Sequence, residues 1–284
     1  MTESRGLTFY ETVKGCGVMS TAMIDGISIH YEVYGEGHPL ILLNGALMST
    51  VNWIPYIETF SKKYQLILID FIGQGQSENI DEDYNQDRQI EIVKGLLDHL
   101  HIDKINMFGA SYGAQVALGF AVKYQQRLKS LMIQGIIARF NPHAVAISEA
   151  WINAAMLHDA DTVWELVVPL AYGTDFYNKN LDYINQRKKL FREAVSDKWF
   201  DGFIKIMRSC YELDLLDQIH EIKVPTLIIG GDQDIIVPLK YHEEVYEKIE
   251  GSRFVIVKNS AHCPYVEKPN EFKEIALGFL ETQQ

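Results

Sequence analysis

Short, wholly apolar runs alternate along most of the chain with longer segments whose apolar residues recur at helical spacing. Pro39-Leu40-Ile41-Leu42-Leu43 and Gln65-Leu66-Ile67-Leu68-Ile69-Asp70 are too short for helices, and continuous apolar character marks strands buried on both faces. Residues 104–108, 128–137, 224–230 and 254–257 repeat the pattern. Residues 53–63, 86–100, 240–249 and 267–280 predict helices between the strands. Ahead of them, alternating runs at 22–24 and 27–34 flank Asp25-Gly26, the signature of a hairpin with a two-residue turn. Strands and helices in this alternation predict an α/β fold, with a mostly parallel central sheet and helices on both faces. From 139 to 221 the alternation stops, and the sequence there is helical in pattern and rich in Trp, Tyr, Phe and Met. This stretch reads as a helical cap inserted into a core formed by 22–138 and 222–284. Residues 1–21, poor in core-building side chains, read as a loosely ordered extension.

Hydrophobic residues make up 47% of the 284 positions and charged residues 23%, as expected for a soluble globular protein with a sizeable core. The net charge of −12 opposes nucleic-acid backbones and anionic membranes, so neither is expected as a partner. No apolar run approaches the roughly 20 residues needed to span a bilayer. The first twenty-odd residues lack the apolar core of a secretory signal, and Met19 and Met23 are alternative starts. Cys16, Cys210 and Cys263 are scattered and match no metal-ligand spacing. The expectation is free thiols in a reducing cytoplasm, with no metal and no organic cofactor.

Candidate chemistry centres on Gly109-Ala110-Ser111-Tyr112-Gly113, between the apolar run at 104–108 and a segment of helical spacing from 114. By composition alone Gly-x-Ser-x-Gly arises in roughly one such chain in ten. The flanking strand and helix therefore carry the argument: together they describe a nucleophile elbow. A serine nucleophile needs a base and a carboxylate to orient that base. In a parallel sheet such groups gather beyond the strand carboxyl ends. Asp234 follows one late strand, in Gly231-Asp232-Gln233-Asp234-Ile235-Ile236-Val237-Pro238. His262 follows the next, in Asn259-Ser260-Ala261-His262-Cys263-Pro264. Asp232 shares the first loop and competes for the carboxylate role.

Four linked motifs then resemble the α/β-hydrolase fold superfamily from about Ile27 to the C-terminus. They are the elbow, Gly-x-x-Asp-x-x-x-Pro at 231–238, His-x-x-x-x-Glu-x-Pro at His262, Glu267 and Pro269, and Asp-x-x-Gly-x-Gly-x-Ser at Asp70, Gly73, Gly75 and Ser77. The resemblance implies Ser111 as nucleophile, His262 as general base and then acid, and Asp234 rather than Asp232 as its carboxylate. Asp70 and Ser77 read as loop-shaping residues. The oxyanion hole is expected from the N–H of Tyr112 and of Ala46, in the loop Asn44-Gly45-Ala46-Leu47-Met48. Many members of the superfamily have His-Gly where this chain has Asn44-Gly45. Two readings of Asn44 stand: a tight turn, or a side chain that fixes the loop by hydrogen bonds.

The Asn-Gly-Ala opening followed by Ser49-Thr50 resembles that of hydroxyacyl-thioester enzymes. Leu47, Trp151, Trp164, Tyr172 and Met207 are the candidate substrate contacts, and their character favours an apolar acyl or aromatic group. The expected activity is hydrolysis of a small-molecule ester or thioester, acyl-CoA and acyl-carrier-protein thioesters included. The alternatives are acyl transfer on hydroxyacyl thioesters and a non-catalytic ligand-binding role.

Overall fold

Asp25 and Gly26 both adopt left-handed backbone, with φ of 49° and 80°, as a primed two-residue turn requires. They join β1 (Gly17–Ile24) to β2 (Ile27–Tyr34), paired from Ile24↔Ile27 out to Gly17↔Tyr34. The computed structural model of the chain describes residues 17–283. The strand thus begins five residues before the expected start at 22, because edge pairing to β2 needs backbone partners rather than burial. Val18 and Met23 stay exposed on it. The rest of the expected extension, 1–16, including Cys16, lies outside the described residues.

Six further strands follow: β3 (His38–Leu43), β4 (Tyr64–Ile69), β5 (Ile105–Ala110), β6 (Leu128–Gln134), β7 (Thr226–Gly231) and β8 (Arg253–Val257). Among the described residues they form one eight-stranded sheet in the order β1-β2-β4-β3-β5-β6-β7-β8. β3 to β8 are mutually parallel, and β2 runs against both of its neighbours. Helices α1 (Ile54–Ser61), α2 (Gln86–His99) and α3 (Tyr112–Tyr124) make the crossovers before β6. Five more lie between β6 and β7: α4 (Pro142–Ala155), α5 (Ala160–Ala171), α6 (Thr174–Lys179), α7 (Leu181–Ala194) and α8 (Asp197–Arg208). The chain closes with α9 (Leu239–Lys248), α10 (Pro264–Glu267) and α11 (Pro269–Glu281). The last two correspond to the single helix expected over 267–280. Pro269 disfavours helical backbone at Lys268, which takes φ −133° and ψ 56° and separates them.

Side chains alternate across the sheet, so each strand feeds two cores. Ile41, Leu43, Ile67, Ile69 and Met107 pack with residues of α2 and α3 on one face. Leu40, Leu42, Leu66, Leu68 and Phe108 pack on the other with Trp53, Tyr56 and Phe60, and with Phe272 and Phe279 of α11. Each fully buried Leu or Ile contributes about 1.5–3 kcal/mol. These two layers hold the strand ends rigid, and the rigid ends position the site. β6 stops at Gln134, three residues short of the expected 137, because Gly135 takes φ 65° and turns the chain off the sheet. Among the described residues no helix is long and apolar enough to cross a membrane.

Candidate active site

Ser111 stands between β5 and α3 with φ 52° and ψ −112°, a conformation that costs a non-glycine residue about 1–3 kcal/mol. Its surroundings enforce it. The Ser111 N–H donates to the Gln134 carbonyl at 2.7 Å, and its own carbonyl accepts from the N–H groups of Ala114 and Gln115. A Cβ on Gly109 would come within 2.2 Å of the Gly113 carbonyl oxygen, and one on Gly113 within 2.5 Å of that of Leu43. The glycines two residues either side of the serine are therefore dictated by backbone packed against backbone.

The end of β8 delivers His262 to this turn. Ser111 Oγ lies 2.9 Å from His262 Nε2, and His262 Nδ1 lies 2.7 Å from Asp234 Oδ2. An ionised carboxylate only accepts, so Nδ1 carries the proton and Nε2 is left to accept from the serine hydroxyl. Asp234 is oriented in turn, since its Oδ1 accepts from the N–H groups of Ile236 and Val237, both at 2.9 Å. Asp232 points elsewhere, towards the Ser260 N–H and Lys258 Nζ. Gly135 runs against the imidazole, and a Cβ there would sit 2.8 Å from His262 Cε1.

Glu267 braces the histidine loop from beneath. Its Oε1 accepts from Ala261 N–H at 2.8 Å and from the Ser260 hydroxyl, while Oε2 accepts from Gly173 N–H at 2.9 Å. Burial raises its carboxyl above the usual range despite these donors. The His262 N–H donates to the Ala171 carbonyl at 3.1 Å. The junction of α5 and α6 is thereby tied to the same loop.

The loop after β3 settles the two readings of Asn44. Its side chain is fully buried, donating from Nδ2 to the Ile69 carbonyl at 2.8 Å and accepting at Oδ1 from Trp53 Nε1 at 2.7 Å. Gln74 Nε2 donates to the Gly45 carbonyl at 2.8 Å. Asp70, its carboxyl raised by burial, accepts from the N–H groups of Thr50 and Gln76. A Cβ on Gly113 would meet the Asn44 carbonyl at 2.7 Å, so loop and elbow are in contact. The N–H groups of Ala46 and Tyr112 have no hydrogen-bond partner among the described residues. That leaves two donors free to meet negative charge, one of them at the first turn of α3.

The candidate substrate contacts divide into groups. Leu47, Trp151 and Met207 gather with Ala46 around Ile152, Phe200 and Phe203. Tyr172 packs towards Cys263 and Tyr265, beside the histidine loop. Trp164 belongs to the inserted helices' own packing, with Val168 and Ile184, and its ring lies 5.5 Å from that of Phe191. Cys210 and Cys263 are buried free thiols, each pushed up to about 12 by burial. Among the described residues no group of three His, Cys, Asp or Glu side chains is arranged to hold a metal ion. Sequence reasoning missed Gln134, Gly135 and Gln74. A glycine at the end of a buried strand was the one available signal, for Gly135.

A family model described as the alpha/beta hydrolase fold matches residues 38–269. The chain is similar to MGS-M2, an alpha/beta hydrolase enzyme from a Medee basin deep-sea metagenome library. Sequence identity is 31% and TM-score 0.90, covering 92% of this chain and 97% of that one. It is 25% identical over 268 residues to 2-hydroxy-6-oxo-6-(2'-aminophenyl)hexa-2,4-dienoic acid hydrolase of Metapseudomonas resinovorans, covering 91% of this chain and 89% of that protein. It is 24% identical over 262 residues to 3-oxoadipate enol-lactonase 1 of Acinetobacter baylyi, covering 91% and 95% respectively. With a family match across most of its length and hydrolases among its relatives, the chain belongs to the alpha/beta hydrolase fold family.

Proposed function

We propose that the protein is a serine hydrolase that cleaves a carboxylic ester or thioester with an apolar acyl or aromatic group, through an acyl-Ser111 intermediate. Ser111 Oγ attacks the carbonyl carbon while its proton passes to His262 Nε2, and Asp234 stabilises the resulting imidazolium. The carbonyl oxygen becomes an oxyanion facing the N–H groups of Tyr112 and Ala46. Collapse breaks the bond to the leaving alcohol or thiol, which takes the proton from His262. Water then attacks the acyl-serine with His262 as base, releasing the acid and restoring the serine hydroxyl. In this reading 139–221 is a cap over a core of 22–138 and 222–284. The continuous relay from Ser111 Oγ through His262 to Asp234, at 2.9 and 2.7 Å, is the observation that carries the proposal.

A fluorophosphonate probe tests it, alongside a screen of p-nitrophenyl esters and acyl-CoA thioesters of graded length. The expected result is stoichiometric labelling at Ser111, with turnover of at least the shorter esters. A serine that stays unlabelled would overturn the reading.

One residue favours a narrower form, in which the substrate also carries an anion. Of the four cations on α7, Lys188 pairs with Asp161 and Glu165, Arg192 with Asp161, and Lys189 with Glu193. Arg187, half-buried on the same helix, has no carboxylate partner among the described residues. Burial raises the hydroxyls of Tyr172 and Tyr183, and the charge of Arg187 is close enough to oppose that rise in both. Two of the relatives are named for carboxylate compounds, an enol-lactone of 3-oxoadipate and a dienoic acid. A charge-assisted hydrogen bond contributes about 1.5–3 kcal/mol. Arg187→Gln should therefore raise KM for carboxylate-bearing esters about tenfold or more, leaving neutral esters of equal size unchanged. Equal effects on both classes would remove Arg187 from substrate recognition.

A further inference from the structure

We propose that Gln134 is a positioning residue for the reaction, a buried amide that fixes the backbones of Ser111 and His262 to one strand end. The inference rests on the reading of those two residues as nucleophile and base. Gln134 closes β6 and is fully buried. Its carbonyl accepts the Ser111 N–H at 2.7 Å, and its side-chain Nε2 donates to the His262 carbonyl at 2.9 Å. A single residue therefore touches the main chain of both reacting groups, which are 151 positions apart in sequence.

The chemistry of the position argues against a purely structural role. Leu131, Met132 and Ile133 just before it are apolar and buried, and a methionine of similar length would fill the same space. The amide is held there although its Oε1 has no partner among the described residues, and burying an unpaired acceptor opposes folding. What the amide adds is a restraint on His262. The other backbone restraint, from His262 N–H to the Ala171 carbonyl, comes from the inserted helices. Among the described residues, Gln134 is the one whose hydrogen bonds tie the histidine backbone to the strand end that also holds the nucleophile N–H.

The next two residues extend this platform. Gly135 passes against the imidazole with φ 65°, and the Ile136 N–H donates to Nε2 of His242 at 3.4 Å. His242 is itself buried and kept neutral, its pKa lowered to about 4 by that burial. The end of β6 thus sets the height of the histidine above the serine.

The test is turnover per labelled site in Gln134→Met, which keeps the volume and removes the donor, with Gln134→Glu as a second variant. Misplacing a reacting group by about 1 Å costs on the order of 100-fold. Both variants are expected to lose up to about 100-fold in kcat with KM little changed. Fluorophosphonate labelling of each should slow in proportion and still reach every folded molecule. Active-site titration counts only competent molecules, so partial misfolding of either variant does not hide the result. A structural residue would instead give fewer titratable sites with wild-type turnover at each, and that outcome overturns the proposal. A wild-type protein that does not label refutes the nucleophile reading and this one with it. A wild type that labels beside a Gln134→Met variant of normal per-site turnover refutes this one alone.

Discussion

Ser111→Ala is expected to lower kcat by about 10⁴- to 10⁶-fold while leaving the melting temperature within a few degrees of wild type. The size of the loss follows from what the hydroxyl alone supplies. Among the described residues no other side-chain oxygen hydrogen-bonds to His262 Nε2, so the base has no substitute nucleophile there. Residual catalysis would come from the N–H groups of Tyr112 and Ala46 acting on bound substrate with water. The fold should tolerate the change because the elbow is held through the main chain. The Ser111 N–H bond to Gln134 and the Gly109–Gly113 packing do not involve the side chain. Steady-state rates on an ester found in the screen, together with thermal melts of both proteins, check both halves. An alanine variant that is folded and near full activity would end the acyl-serine mechanism.

The sheet was legible in the sequence because its strands are apolar on both faces, a pattern imposed by burial between two helical layers. Leu40 to Leu43 and Leu66 to Ile69 show this most plainly, with side chains at most 2% exposed. The same logic marked positions just past β5, β7 and β8, which supported Ser111 in its Gly-x-Ser-x-Gly motif and brought His262 forward, while the choice of Asp234 over Asp232 needed the family resemblance. β1 was less legible, since an edge strand is held by its ladder and leaves Val18 and Met23 in solvent. The bracing of the site was hidden for another reason. Gln134 meets His262 across 128 positions, and Glu267 meets Gly173 across 94, so neither partner is visible in any local window. Asn44 left two readings open because a turn residue and a buried hinge look alike until Trp53 and Ile69 come into contact with it. The inserted helices posed the hardest problem. Their aromatic residues pack partly on one another, and it is the mutual packing of α4, α5, α7 and α8 that separates Trp164 from Trp151 and Met207.

Asp234→Asn should lower kcat by about 10³- to 10⁴-fold, and Asp232→Asn should change it by no more than about threefold. The contrast is sharp because the two residues share a loop and differ mainly in what they face. At 234 the oxygen that accepts from Ile236 and Val237 N–H groups must remain an oxygen, so the asparagine amide is forced towards His262 Nδ1. Two donors cannot face each other, and the imidazole must move its proton to Nε2. Nε2–H then confronts Ser111 Oγ and can no longer accept its proton, so the base is lost although every heavy atom stays in place. At 232, among the described residues, the carboxylate side chain reaches the part-buried Ser260 N–H at 3.4 Å, which an asparagine oxygen can still accept, and the exposed Lys258 at 3.8 Å, and neither contact touches the imidazole. Parallel kinetics of the two variants decide the matter. Equal losses, or a larger loss at 232, would mean that the carboxylate serving His262 has been misidentified, and with it the direction in which the proton travels.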